Sequence, residues 1–173
     1  MQEEVSVKKF ILICATGLLG IGLAGCSNSS NQSSDSSAKT ESVASKNNVK
    51  LAKDLEKQFN KDGKVATTKV EPEVVDDQSK DNKPHEEIKV IITDKALIKT
   101  ITADEDAIRN DTATDDQKMY IATLQEMISK EAKKLDNTKD TISLIYKMDD
   151  QNNYQIAGSS KTHDFVKLVE VGV

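Results

Sequence analysis

The sequence predicts an α+β fold, an antiparallel sheet of about four to five strands with two helices packed on one face, in the order α-β-β-α-β-β. Two segments carry apolar residues at helical spacing, and four carry the alternating, β-branched pattern of strands. Apolar residues make up 36% and charged residues 31% of the 173 residues, a balance that suits one small domain with polar flanks.

The first helix is predicted to begin at residue 49, which is also the expected start of the folded domain, residues 49–173. Gly63 is placed to end this helix. A strand over residues 65–70 follows, and Pro72 is expected to close it because proline cannot donate to the strand ladder. The apolar stripe of the helix consists of Val49, Leu51, Ala52, Leu55 and Phe59.

The second strand is predicted over residues 88–93, after a polar loop at residues 76–84. Ile88, Val90 and Ile92 share one face of this strand, and Ile91 lies on the other face. Because both faces carry apolar residues, we expect the strand to be central in its sheet.

Residues 96–116 have the weakest pattern. Residues 96–101 fit either a short helix or a continued strand. Residues 104–116 are acidic and poorly periodic, which favours an exposed loop containing a helical turn around Ala107 and Ile108. A long helix is predicted from Thr114, which forms a capping box with Gln117, to about residue 135. Its apolar stripe consists of Tyr120 or Ile121, Leu124, Met127 or Ile128, and Leu135.

The C-terminal region predicts a β-hairpin over residues 141–158. Two alternating segments flank a polar turn at residues 149–153. Residues 165–171 are candidates for a last strand.

The N-terminus has the organisation of an export signal. Lys8 and Lys9 precede an apolar run at residues 10–25, which is too short and too rich in glycine for a good membrane-spanning helix. The run ends in an aliphatic residue, two small residues and a cysteine: Leu23, Ala24, Gly25 and Cys26.

This arrangement resembles the lipobox of bacterial lipoproteins. The resemblance implies a signal peptide at residues 1–25, cleavage between Gly25 and Cys26, and a diacylglyceryl anchor on the Cys26 thiol. It also implies a lipid-anchored, palmitate-bearing protein on the extracytoplasmic face of the cell membrane. Residues 26–48 are rich in Ser and Asn and are expected to be a disordered tether. Such a long tether looks more like the Gram-positive type.

Charge and cysteine content exclude several classes. The net charge of −5 argues against nucleic-acid binding and leads us to expect that the domain does not bind lipid by itself. Cys14 lies in the predicted leader and Cys26 is the predicted lipid site, so no thiol is left for a disulfide. The chain has no CxxC pair, which excludes a thioredoxin-like lipoprotein.

Histidines are the first candidates for chemistry. His85 precedes Glu86 and Glu87, but the spacing matches no zinc motif, and a solvated loop histidine is the favoured interpretation. His163 and Asp164 follow Ser159 and Ser160 without a nucleophile elbow, so the two serines are interpreted as ordinary strand-end residues. We therefore assign no catalytic residue, no cofactor and no metal ligand.

Two acidic segments are candidate cation sites. Asp149, Gln151 and Asn153 alternate, but the glycine and the glutamate of a calcium loop are missing, so a hairpin turn explains them. A second group is best explained as a solvated loop and a helix N-terminus; it consists of Asp104, Glu105, Asp106, Asp111, Asp115 and Asp116.

The sequence favours a membrane-anchored extracellular lipoprotein with a small non-enzymatic binding domain of unknown specificity. The expected partners are the membrane, through the lipid on Cys26, and an extracellular protein or small ligand. A small-ligand or cation carrier is the alternative, and would show a closed apolar pocket between helix and sheet. An envelope enzyme is less favoured, because it would need His85, Glu86, His163 and Asp164 to converge in one cleft.

Overall fold

The structure is a computed structural model that describes residues 43–149 and 152–172. The predicted leader, Cys26 and the tether up to residue 42 lie outside these residues, so the statements about them stay predictions. In the described residues, the chain forms three α-helices and four strands. In chain order they are α1 Lys46–Phe59, β1 Ala66–Val74, β2 His85–Ile92, α2 Lys95–Arg109, α3 Asp115–Ala132, β3 Thr141–Lys147 and β4 Asn153–Ser160.

The four strands form one sheet in the order β1-β2-β3-β4. The α+β class is confirmed, but the sheet is mixed, because β2 and β3 pair in parallel while the two outer pairs are antiparallel. The connection between β2 and β3 contains α2 and α3. It is long enough to return the chain to the end of the sheet where β2 began, as parallel pairing requires. The prediction of a purely antiparallel sheet with two helices was therefore wrong.

The start of α1 lies three residues before the predicted domain boundary. Ser45 is the N-cap, and its hydroxyl accepts a hydrogen bond from the backbone N–H of Asn48. Residues 46–48, assigned to the tether from the sequence, therefore belong to the helix. The C-cap is Asn60 rather than Gly63, because the Asn60 side chain binds the backbone of Val65 and Ala66 and so joins α1 to β1.

Pro72 lies inside β1, so the prediction that it closes the strand was wrong. The pairing of β1 with β2 is irregular between Glu71 and Val74, and β1 is at the edge of the sheet. A proline is tolerated at an edge bulge, where its missing N–H breaks no ladder hydrogen bond. The central position predicted for β2 is confirmed.

The largest difference is α2, a helix of 15 residues in a region expected to be partly loop. Its N-cap is Asp94, whose carboxylate accepts from the N–H of Leu97 at 2.7 Å. Ile101 is fully buried, and Asp104 occupies the next inward position with only 8% of its surface exposed. An acidic residue within the apolar stripe hid the helical period.

The long helix α3 and the C-terminal hairpin agree with the sequence. The capping box of Thr114 and Gln117 is present, and β3 pairs antiparallel with β4. The predicted inward positions Ile121, Leu124 and Ile128 are buried. The helices cover one face of the sheet, and the core between them contains Leu51, Leu55, Ile88, Val90, Ile101, Ile121, Ile128, Ile142, Leu144 and Ile156.

Residues 165–171 do not form the expected last strand. After β4, the chain makes one isolated bridge between Ser159 and Asp164, and the Phe165 N–H donates to the Gly158 carbonyl at 2.9 Å. Further along, Gln125 of α3 accepts from the N–H of Val169 at 2.7 Å. The segment is held by side chains and short-range contacts rather than by a ladder.

Candidate functional site

The face of the sheet opposite the helices carries a row of polar contacts. Lys69 and Lys89 both pair with Glu71, and Lys89 also lies 3.3 Å from Glu87. The Ser143 hydroxyl donates to Glu87 at 2.6 Å, and the Gln155 amide donates to Ser143 at 3.1 Å. This charged row crosses all four strands and consists of Lys69, Glu71, Lys89, Glu87, Ser143 and Gln155.

The charges in this row stabilise one another. The hydrogen bond from Lys89 holds the pKa of Glu71 below its ordinary value, against the opposing effect of burial. Burial alone would lower the pKa of Lys89, but the hydrogen bond to Glu71 and the charges of Glu87 and Glu71 outweigh it, so the pKa is raised. Both groups are therefore held in their charged forms, and the row is a fixed pattern of charge.

His85 lies at one end of this face and is buried, so the interpretation as a solvated loop histidine was wrong. Its Nδ1 lies 3.2 Å from the Ser79 hydroxyl, and its Nε2 lies 3.3 Å from the Thr141 hydroxyl. Asp76 is 3.8 Å from Nε2. His85 is the first residue of β2, and its two ring nitrogens fasten the loop before β2 to the first residue of β3.

His163 follows β4 and closes the turn that leaves it. Its Nδ1 lies 2.8 Å from the Ser160 hydroxyl, which also accepts from the backbone N–H of His163. The Nε2 atom lies 3.3 Å from the Gln78 side-chain oxygen, so His163 also contacts the loop between β1 and β2. Ser159 and Ser160 are the last residues of β4, as expected for strand-end serines.

The four residues considered for an enzyme site have separate partners. Glu86 points to the helix side, where the Ser45 N–H and the Asn48 amide donate to it. Asp164 accepts from Ser159 at 2.6 Å and is not paired with either histidine. Among the described residues, the geometry does not assemble a relay of serine, histidine and carboxylate.

A polar lock joins the start of α1 to the sheet. Asn48 is fully buried, and its Nδ2 donates at 2.8 Å to both Glu86 and Asp140. Asn137 also donates to Asp140 at 2.8 Å. We call this group, which consists of Ser45, Asn48, Glu86, Asn137 and Asp140, the N-terminal lock. In the described residues, its one buried side-chain oxygen or nitrogen atom without a hydrogen-bond partner is Asn48 Oδ1.

The acidic segment does not form one patch. Asp104 accepts from Gln117 at 2.8 Å, Glu105 accepts from Tyr154 at 3.1 Å, and Asp106 pairs with Arg109. Asp111 follows α2 with φ of +54°, while Asp115 and Asp116 lie in the first turn of α3. The expectation of a loop is wrong for residues 104–106 and the expectation of first-turn carboxylates is confirmed. The described residues contain no group of three or more His, Cys, Asp and Glu placed to hold a metal ion.

The turn after β3 is held by its own polar groups. Asp149 accepts from the backbone N–H and the side-chain amide of Asn152, each at 2.7 Å. Asn153 begins β4, and Gln151 lies outside the described residues. These contacts form the hairpin turn expected from the sequence.

An open cleft of about 350 Å³ lies beside β4, between the ends of the helices and the C-terminal segment. The Tyr154 hydroxyl on its wall donates to Glu105, and the Tyr154 ring stacks on Tyr146 with 5.2 Å between centroids. Burial raises the pKa of Tyr154 to about 12 and also raises the pKa of Glu105. The cleft is open to solvent, unlike the closed apolar pocket that a small-ligand carrier would show.

Comparisons with known proteins give no relative: no family model, no curated protein and no solved structure matches this chain. Across residues 43–149 and 152–172, no helix combines the length and apolar character needed to cross a bilayer.

Proposed function

We propose that this protein is a lipid-anchored, extracytoplasmic binding protein whose folded domain holds a partner protein on the helix-free face of its sheet. The anchor is the lipid on Cys26. Support for it comes from the lipobox and from the position of α1, which begins roughly twenty residues after that cysteine. A flexible segment of this length reaches roughly 25 Å, so the domain works close to the membrane.

The charged row is the observation that carries the binding role. Its members lie on strands rather than loops, and each of them is hydrogen-bonded or ion-paired to a neighbour. A surface fixed in this way loses little side-chain entropy when a partner docks.

The sign pattern of the row favours a protein partner. Positive and negative groups alternate from Lys69 through Glu71 and Lys89 to Glu87. A uniformly charged polymer would meet as much repulsion as attraction on such a row. The surface of another protein, with charges of both signs, can complement it.

Photo-crosslinking from the two sides of the domain tests this role. A photoreactive amino acid at Gln155, on the row, should give one discrete protein adduct in native membranes, while the same group at Thr123, exposed on α3, should not. Lys69→Glu should abolish the adduct because it reverses a charge in the row. The matched control Lys130→Glu, on the outer side of α3, should leave it unchanged.

Two outcomes contradict the proposal. Equal adducts from both positions would place the partner elsewhere on the domain, and an adduct that survives Lys69→Glu would show that the row does not select it. Flotation of the wild-type protein with membranes tests the anchor separately.

A further inference from the structure

Helix α1 carries a stripe of lysines on the side that faces away from the domain. Lys46, Lys50, Lys53 and Lys57 are spaced by four, three and four residues, which places them within one narrow arc of an α-helix. The buried residues of the same helix include Asn48, Leu51 and Leu55, which lie on the opposite side. We call these four lysines the lysine stripe.

The stripe is exposed and almost free of counter-charges. Lys57 is 3.9 Å from Asp54, with the two side chains 81% and 52% exposed, which is a weak surface pair. Among the described residues, the other three lysines have no ion pair within 4.0 Å. Glu56 is engaged elsewhere, because it accepts from the Thr68 hydroxyl of β1 at 2.9 Å.

This local charge is opposite in sign to that of the whole chain. Residues 46–64 contain six lysines against three carboxylates, a net charge of +3, whereas the chain carries −5. All four lysines of the stripe are exposed to solvent. The net charge of the whole chain therefore does not show that α1 and the residues after it are positively charged.

We propose that the lysine stripe docks α1 on the anionic phospholipid headgroups of the bilayer that holds the Cys26 lipid. The proposal rests on the lipid anchor of the proposed function. It revises the expectation from net charge that the domain makes no lipid contact of its own.

Charge and chain length select this occupant. Anionic headgroups attract lysines near the surface, and removing ~1 kcal/mol of attraction per lysine lowers the ratio of docked to free domain by about fivefold. A flexible chain of about twenty residues spans roughly 25 Å, enough to bring a helix ~21 Å long alongside the bilayer. Tethering also makes docking intramolecular, so a weak contact suffices.

The docked state is electrostatic rather than inserted. Leu51 and Leu55, the apolar residues that an interfacial helix would bury in lipid, are already in the core. Docking should therefore depend on salt and on anionic lipid. Lys69 and Gln155, the exposed members of the charged row, stay accessible to a partner on the other face of the sheet.

Fluorescence quenching on vesicles tests the proposal with the mature lipidated protein. After removal of Cys14 with the leader and lipidation of Cys26, an introduced cysteine is the sole free thiol. A fluorophore is attached at Gln58→Cys on α1 or at Asn153→Cys, an exposed position on the charged-row side. The vesicles are phosphatidylcholine alone or with phosphatidylglycerol, and each contains a lipid with a quencher on its headgroup.

Quenching is expected at position 58, not at 153, in vesicles with phosphatidylglycerol, and high salt should reverse it. Lys→Gln at all four stripe positions should remove the quenching. The control set Lys95, Lys99, Lys130 and Lys147 loses the same charge from exposed positions and should retain it.

Each other outcome overturns a defined claim. Flotation with both kinds of vesicle without quenching at position 58 refutes the stripe and leaves the anchor intact. Equal loss of quenching in the two quadruple variants also refutes the stripe, because it would reflect net charge alone. Failure to float with neutral vesicles refutes the anchor and, with it, the docking proposal.

Discussion

The Asn48 amide nitrogen lies 2.8 Å from the Asp140 carboxylate, although 92 residues separate them in the chain. The same nitrogen donates to Glu86 at 2.8 Å, so a single buried amide serves two carboxylates. The contact holds the first turn of α1 against the starts of β2 and β3. The start of α1 is therefore fastened to the sheet.

Asn48→Ala should destabilise the domain by about 1–3 kcal/mol, because both carboxylates lose a buried donor. Urea unfolding of residues 43–173 measures this. Asn48→Asp should cost more, and its extra cost should shrink as pH falls, since protonation removes the repulsion among three carboxylates. Gln58→Ala is the control: Gln58 is exposed on α1, and its removal should change stability by no more than about 0.5 kcal/mol.

Gly158→Ala should cost about 1–3 kcal/mol, because a Cβ at this position would overlap the ring of Phe165 and the side-chain amide of Gln155. The ring would have to leave β4 and move the C-terminal segment with it. In a Phe165→Ala background, where the ring is absent, the cost of Gly158→Ala should fall. An unchanged cost in that background would mean that the clash with Phe165 is not its source.

The elements that could be predicted from the sequence are those with an uninterrupted period. Ile121, Leu124 and Ile128 mark α3, and the alternation in β3 and β4 marks the hairpin. The full length of α2 could not be predicted, because Asp104, between Ile101 and Ile108, takes an inward position and is satisfied there by Gln117. A buried polar residue whose hydrogen-bond partner is distant in the sequence has the pattern of a loop residue when the sequence is considered alone.

The pairing of β2 with β3 and the burial of His85 could not be predicted for the same physical reason: both depend on residues that are distant in the sequence. Parallel pairing of β2 with β3 depends on recognising that α2 continues into a two-helix crossover. His85 is buried because Ser79 and Thr141 meet it from other elements. The lysine stripe, by contrast, is visible in the sequence at helical spacing, although the net charge of the chain does not show it.

Glu105→Gln should stabilise the domain relative to wild type, increasingly so as pH rises from acid to neutral. Burial raises the pKa of Glu105 above its ordinary value of 4.5, so the folded state holds this proton more tightly than the unfolded state. The stabilisation that comes from binding this proton is fully present below pH 4.5. It is lost as pH rises through the pKa that Glu105 has in the folded state. Glutamine does not ionise and avoids this loss.

Urea unfolding at a series of pH values measures the difference for Glu105→Gln. Glu126→Gln, which removes an exposed carboxyl from α3, is the matched control. Identical pH profiles for the two variants would contradict a special environment at Glu105.

Tyr154 should titrate as a phenol with a pKa of about 12, because its burial and the neighbouring charge of Glu105 oppose ionisation. Stopped-flow absorbance of tyrosinate, recorded before alkaline unfolding, measures this. Tyr154→Phe should remove that phase. Persistence of the phase in Tyr154→Phe would assign it to another tyrosine.

Cys26→Ala should abolish incorporation of labelled fatty acid, because a diacylglyceryl group needs the thiol of the lipobox cysteine. Two acyl chains hold a protein firmly at a bilayer, whereas one holds it only marginally, so the variant should also lose its stable anchor. An uncleaved leader can retain a protein in the membrane, which is why the label, and not fractionation, decides the result. Cys14→Ala, the matched change in the leader, should keep the label; label on the Cys26→Ala protein would refute the assignment.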